Sequence, residues 1–272
     1  MDDILRIENL KQYFVSGKGI FKKGYTVKAV DGVSFSIRRG ETLGLVGESG
    51  CGKSTLGRTI LKLYEPTEGN IFFDGKDITH LSPRQMRPLR KEMQIVFQDP
   101  LESLNQRHTV GMILEEPFII HNVGTPAERK QWVLELLQKV DLPATAVNRY
   151  PHEFSGGQRQ RIGIARAIAL KPKLLICDES VSALDVSVQA QILNLLLALQ
   201  QEMELTVIFI SHDLSVVKHV SDRVAVMYYG KLVEIGTADE IYHAPKADYT
   251  KTLLAAIPIS HPSQRKRPAT PQ

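Results

Sequence analysis

The chain has 272 residues, of which 43% are hydrophobic and 24% charged, and 34 basic residues against 30 acidic ones give a net charge of +4. These proportions exclude a disordered chain, a collagen and a disulfide scaffold, and the length predicts one compact core with an appended lobe. The longest uncharged run, 186–201, is interrupted by Gln189, Gln191 and Asn194 and is too short to span a bilayer. Asp2, Asp3 and Glu8 stand where a secretory leader would be basic and then apolar, so the expected location is the cytosol. Two cysteines, Cys51 and Cys177, suit a reducing compartment. The charge surplus is local. Residues 261–272 hold Arg265, Lys266 and Arg267, three prolines and no acid, and the remainder has 31 basic residues against 30 acidic. A body so near neutral, without a basic stripe interleaved with aromatics, is a weak argument for a nucleic-acid partner. The tail reads as a solvated, flexible end.

In chain order, residues 5–9 and 33–37 alternate apolar and polar as strands do, and Gly40-Glu41 marks a turn before the apolar run 42–46. A glycine-rich loop follows, then helical spacing over 54–63, a break at 66–69, and a strand at 71–73 entering the turn Asp74-Gly75. Residues 94–97 predict another short strand. The stretch 109–140 is helical in spacing, with Trp132, Val133, Leu136, Leu137 and Val140 on one face, and reads as an inserted lobe. Beyond Pro151 the pattern predicts a helix over 158–170, a continuous apolar strand over 174–177, a helix over 187–203, and a strand over 206–210. A short helix after His212 and strands near 223–227 and 231–235 complete it. Strands alternating with helices predict an α/β fold with a mostly parallel sheet, its apolar strands buried on both faces.

Gly47-Glu48-Ser49-Gly50-Cys51-Gly52-Lys53-Ser54 fits G-x-x-x-x-G-K-[ST] between a predicted strand and a predicted helix, which is the setting of a P-loop. The glycines let backbone N–H groups and the positive end of the helix surround a phosphate. Lys53 brings a charge to the β- and γ-phosphates, the Ser54 hydroxyl is a Mg²⁺ ligand, and Thr55 completes the cradle. Cys51, inside the loop, reads as a small filler rather than a reactive thiol. The apolar strand at 174–177 delivers Asp178 and Glu179 at its C-terminal end, where ligands sit in open α/β sheets. Asp178 is placed to hold the Mg²⁺ shell and Glu179 to act as general base on the attacking water.

Phe154-Ser155-Gly156-Gly157-Gln158, about twenty residues before that strand, resembles the Leu-Ser-Gly-Gly-Gln signature of the ATP-binding cassette (ABC) family, with Phe154 for leucine. The resemblance covers nearly the whole chain. It implies a P-loop NTPase, RecA-like core with an N-terminal antiparallel β subdomain and an inserted α-helical subdomain. The implied division is a core at 1–98 and 155–235, the insert at 99–154, and a C-terminal extension at 236–272 ending in the basic tail. By the same resemblance, two cassettes pair head to tail and each signature closes over the nucleotide on the partner's P-loop. Gln98 is similar to the Q-loop glutamine, which senses Mg²⁺ and water and links to the membrane subunit. Ser182-Ala183-Leu184-Asp185 is similar to the D-loop, and His212 to the switch histidine on the γ-phosphate. Adenine stacks on an aromatic near the N-terminus, where Phe14 is the best positional match and Tyr13 and Tyr25 are alternatives; residues 16–28 read as an insertion.

Asp99-Pro100-Leu101-Glu102-Ser103-Leu104-Asn105, Tyr150-Pro151-His152-Glu153 and Asp248-Tyr249-Thr250 resemble the oligopeptide, dipeptide and nickel importer group, specifically its second, F-type ATPase subunit. The implied protein hydrolyses ATP with Mg²⁺ to energise peptide import. Its implied partners are a second, different ATPase chain, two membrane permeases and, indirectly, an extracytoplasmic solute-binding protein. It would sit peripherally on the cytoplasmic face of the membrane. A nickel importer is the alternative within the group, followed by an exporter or a non-transport cassette. Three departures from the group stand out. Ser180 replaces the proline after Glu179, which predicts a looser turn; Gln106 replaces another proline; and no cysteine follows Cys177, so no iron–sulfur cluster is expected. A P-loop GTPase is disfavoured because no Asn-Lys-x-Asp segment occurs. A chromosome-maintenance cassette lacks its coiled coil here, and a ribosome-acting one its second cassette.

Overall fold

The computed structural model describes residues 3–16 and 25–256. The centre of the expected N-terminal insertion, 17–24, and the basic tail at 261–272 lie outside the described residues. Strands β1 (Asp3–Ser16) and β2 (Tyr25–Arg38) pair antiparallel, and β1 also pairs with β4 (Glu68–Phe73), which carries the short β5 (Lys76–Asp77) on its other edge. The result is a four-stranded antiparallel sheet in the order β2-β1-β4-β5. Between β2 and β4 run β3 (Thr42–Val46) and helix α1 (Lys53–Ile60).

The second sheet has six strands in the order β10-β9-β3-β8-β7-β6. Its members are β3, β6 (Met93–Val96), β7 (Leu174–Asp178), β8 (Thr206–Ser211), β9 (Arg223–Tyr228) and β10 (Lys231–Thr237). All neighbouring pairs are parallel except β9 and β10. The expected α/β class, with an antiparallel N-terminal sheet and a helical insert, is therefore what the chain forms.

The continuous apolar runs have a plain cause. Successive strand residues face opposite sides, and each side meets its own core. Leu43, Leu45, Leu174, Ile176, Ile208 and Ile210 pack with Leu56 and Ile60 of α1 and with Leu5, Ile7 and Phe73 of the first sheet. Leu175, Cys177, Val207, Phe209, Val224 and Val226 pack on the other side against the helices. Each such side chain contributes about 1.5–3 kcal/mol by leaving water.

Two short helices, α2 (Pro83–Met86) and α3 (Pro100–Ser103), flank β6. The helical stretch at 109–140 then resolves into two helices, α4 (Val110–Ile120) and α5 (Pro126–Lys139). The break comes from left-handed backbone at Asn122 and Gly124, followed by Thr125, which caps α5 in a reciprocal box with Glu128. A Cβ at Gly124 would lie 2.4 Å from the Trp132 ring, so a glycine is needed there. Val133, Leu136, Leu137 and Val140 are buried as their spacing predicts, and Trp132 packs on Phe118 at 5.1 Å. Helices α6 (Gly156–Ile168), α7 (Val186–Met203) and α8 (Leu214–Val220) cover the same side of the sheet. Two further helices that periodicity did not reveal, α9 (Ala238–His243) and α10 (Asp248–Ala255), close the described chain. Among the described residues no helix is long and apolar enough to cross a membrane.

Candidate active site

The parallel strands β3, β7, β8 and β9 end on one edge, and the chain emerging from each carries chemistry. From β3 comes the loop 47–52. Gly47 adopts φ 151° and Gly52 φ 108°, and a Cβ at either would lie 2.2 Å from the Met227 carbonyl or 2.0 Å from that of Ala29. The loop can curl this tightly only with glycine at those positions. Gly52 is the N-cap of α1 and offers no side chain, so the first-turn N–H groups of α1 are left for a ligand. Lys53 is 3% exposed, and its Nζ donates to the carbonyls of Gly47 at 2.8 Å and Glu48 at 2.9 Å.

Asp178 ends β7 at 2% exposure. Its Oδ1 accepts from Ser54 Oγ at 2.6 Å, and its Oδ2 lies 3.4 Å from Nη2 of Arg58 on α1. A hydroxyl and a carboxylate so joined are the oxygen donors that Mg²⁺ takes. Glu179 follows in left-handed backbone, φ 47°, with its N–H on the Ile210 carbonyl at 3.0 Å. The sharp turn aims its carboxylate at two groups: Gln98 Nε2 donates to Oε2 at 3.1 Å, and His212 Nδ1 lies 3.5 Å from the same oxygen. Ser182 closes the turn, its N–H and Oγ both donating to the Glu179 carbonyl at 3.1 and 2.9 Å. Ser180, where the sequence predicts a looser turn, is buried, and the contacts that close the turn come from Ser182.

Beside them lies a cavity of about 740 Å³ lined by Phe14, residues 26–29, the loop from Ser49 to Thr55, Gln98, Glu179, Tyr229 and Gly230. Asp178 and His212 are not in its lining and reach it through their contacts with Ser54 and Glu179. Of the three aromatics weighed from sequence, Phe14 alone lines it. Tyr13 points elsewhere and donates to Asp31, and Tyr25 is exposed. Tyr229 was missed from sequence; its signal was its place just past the C-terminal end of a parallel strand.

Cys51 is almost fully buried, and that burial pushes its thiol up in spite of the neighbouring Lys53. Burial pushes Cys177 up to about 12. Thiolate forms at Cys51 only above the pH at which a free cysteine ionises, so iodoacetamide at pH 7.5 should label Cys51 more slowly than glutathione and leave Cys177 untouched until unfolding. Mass spectrometry of labelled peptides reads both rates.

The residues 155–158 lie outside this cavity. Ser155 is the N-cap of α6 in a reciprocal box: its Oγ accepts from Gln158 N–H at 3.3 Å, and Gln158 Oε1 accepts from Ser155 N–H at 3.1 Å. Ser155, Gly156 and Gln158 are exposed, while Phe154 is buried with Arg149 over its ring at 4.3 Å. Asp185 likewise caps its own helix, α7, accepting from Val188 N–H at 3.0 Å. Gly157 has a packing reason that sequence did not offer, since a Cβ there would lie 2.3 Å from Val188 Cγ1. Gly157→Ala should lower the melting temperature, at a cost of about 1–3 kcal/mol for overpacking, and adding Val188→Ala should recover part of it. Calorimetry of the two variants checks this.

A family model described as "ABC transporter" matches residues 30–182. Over 261 residues the chain is 57% identical to "Oligopeptide transport ATP-binding protein AppF" of Bacillus subtilis (strain 168), covering 95% of this chain and 79% of that protein. It is 54% identical over 267 residues to "Oligopeptide transport ATP-binding protein OppF" of the same organism, covering 97% of this chain and 86% of that one. Among solved structures it is similar to the dimeric, post-hydrolysis ATP-binding cassette MJ0796 bound to ADP and Pi. There the TM-score is 0.77 and the identity 28%, with 86% of this chain and 98% of that one covered.

Proposed function

The chain belongs to the ABC transporter family, and from that premise we propose that it is the ATP-hydrolysing subunit of a peptide importer, taking the place of the second, F-type ATPase chain. The names of its relatives, oligopeptide transport ATP-binding proteins, support the substrate class. The observation that carries the mechanism is the cavity joining residues 49–55, Gln98 and Glu179, with Ser155 outside it.

In this reading the first-turn N–H groups of α1 and the Lys53 ammonium take the phosphates of ATP, and Lys53 exchanges its contacts with the Gly47 and Glu48 carbonyls for phosphate oxygens. Phe14 stacks on the adenine. Ser54 and Asp178 fit Mg²⁺ and would hold it; the ion would neutralise charge on the phosphate oxygens when bound. Glu179 orients a water and takes its proton as the water oxygen attacks the γ-phosphorus, and the bond from that phosphorus to the β,γ-bridging oxygen breaks so that ADP leaves with the bridging oxygen. Gln98 and His212 hold the Glu179 carboxylate between them. Proximity and fixed charge do most of the work, since phosphoryl transfer mainly demands positioning.

The signature Ser155-Gly156-Gly157-Gln158 then serves a nucleotide on a second cassette packed head to tail, with Asp185 at the same face. We place this pair on the cytoplasmic side of the membrane, bound to two permeases that an extracytoplasmic binding protein supplies with substrate. The proposed division of the chain remains a core at 1–98 and 155–235, a helical insert at 99–154 that meets the permeases, and an extension at 236–272.

Affinity purification from membranes tests the assignment. Two permeases and a second ATPase should co-purify, and peptide with its binding protein should stimulate ATP hydrolysis by the reconstituted complex. Recovery with ribosomes or DNA overturns transport, and stimulation by nickel but not by peptide overturns the substrate class.

A further inference from the structure

Within that reading of an ATP site, we infer that Tyr249, on the C-terminal helix α10, is a positioning residue that holds the phosphate loop from outside it. The Gly47–Glu48 peptide unit is gripped at both ends. Its carbonyl accepts from Lys53 Nζ at 2.8 Å, and its N–H donates to Tyr249 Oη at 3.2 Å. The two grips differ in kind. Lys53 must give up loop contacts to reach a phosphate, because its ammonium has three donors and all three are spent on the loop, on the Gly47 and Glu48 carbonyls and the Cys51 sulfur. Tyr249 meets no such demand. It alone of the two still fixes the orientation of this peptide once the lysine has turned.

Tyr249 is itself well anchored. Its ring lies against Tyr228 at 4.1 Å between centroids, and Tyr228 in turn meets Tyr229, which lines the cavity, at 4.5 Å. The residue before Tyr228, Met227, backs the same peptide unit through its carbonyl, the atom that a Cβ on Gly47 would strike. Helix α10 has no side-chain cap of its own at Ala247. The Glu234 carboxylate on β10 substitutes, accepting from the N–H groups of Lys246 at 2.8 Å and Ala247 at 3.0 Å. The hydroxyl is thus carried by the edge of the main sheet: an aromatic contact with Tyr228 holds the ring, and hydrogen bonds to Glu234 hold the chain just before it.

Tyr249→Phe removes the hydroxyl and keeps the ring on Tyr228. In the full chain this variant should bind ATP about 2- to 10-fold more weakly, the worth of one neutral hydrogen bond. Turnover at saturating ATP should stay within about twofold, and the melting temperature without nucleotide should not move. Tyr249→Leu, which also removes the ring, should lower that melting temperature as well. Wild-type affinity in Tyr249→Phe overturns the inference. So does an affinity loss accompanied by equal losses of turnover and of nucleotide-free stability, which would make the hydroxyl a general structural support. A wild-type chain that neither binds nor hydrolyses ATP would instead defeat the ATPase reading itself, so the two failures are distinguishable.

Discussion

Glu179→Gln is expected to lower ATP turnover by about 10²- to 10⁴-fold while ATP affinity stays within about twofold of wild type. The carboxylate is held at 3.1 Å by Gln98 and at 3.5 Å by His212, on a backbone turned into left-handed conformation and closed by Ser182. That strain points the group into the cavity rather than along the strand. A glutamine fills the same volume and keeps an oxygen for Gln98 to bond, but its amide takes no proton at neutral pH. The change therefore removes base chemistry and leaves binding, which rests on the loop 47–55. Phosphate release at saturating ATP with Mg²⁺, measured beside equilibrium ATP binding, separates the two effects. Unchanged turnover contradicts the role of Glu179.

Lys53→Ala acts on the other half of the site and should weaken ATP binding itself by about 10- to 100-fold, since hydrogen bonds from a charged donor are worth about 1.5–3 kcal/mol. Lys53 is 3% exposed, and its three partners are two carbonyls and the Cys51 sulfur of its own loop. No carboxylate neutralises it in those contacts, so an arriving polyphosphate meets an ammonium whose charge is not yet paired. The alanine variant keeps the glycine geometry and the helix end, which accounts for residual binding. Titration by calorimetry reads the loss directly, and normal affinity would contradict the P-loop assignment.

Much of this was legible in the chain. The runs at 42–46, 174–177 and 206–210 read as strands because strands buried on both faces are continuously apolar, and the loop after β3 read as a phosphate cradle from its glycines, Lys53 and Ser54 between a strand and a helix. Other features depend on contacts that no local pattern carries. Glu48 and Tyr249 are 201 residues apart and meet only because β9 and β10 return the chain beside the loop. Gly157 looked like a phosphate-facing glycine, yet its space is taken by Val188 from α7. The split of 109–140 into α4 and α5 turned on left-handed backbone at Asn122 and Gly124, which overrode an apolar spacing that runs on through the break. Tyr229 escaped notice because an aromatic past a strand end carries no motif.

The central claim is that this chain holds one nucleotide and completes the site of another. Ser155→Arg tests it most directly, with ATP binding and turnover measured on the same preparation of the assembled pair of cassettes. Ser155 is exposed and outside the cavity, so its loss costs only the cap of α6, about 1 kcal/mol. The expected result is wild-type ATP affinity at the P-loop of this chain with turnover abolished at the partner's site. Loss of ATP binding by the mutated chain, or turnover that does not change, would contradict the account.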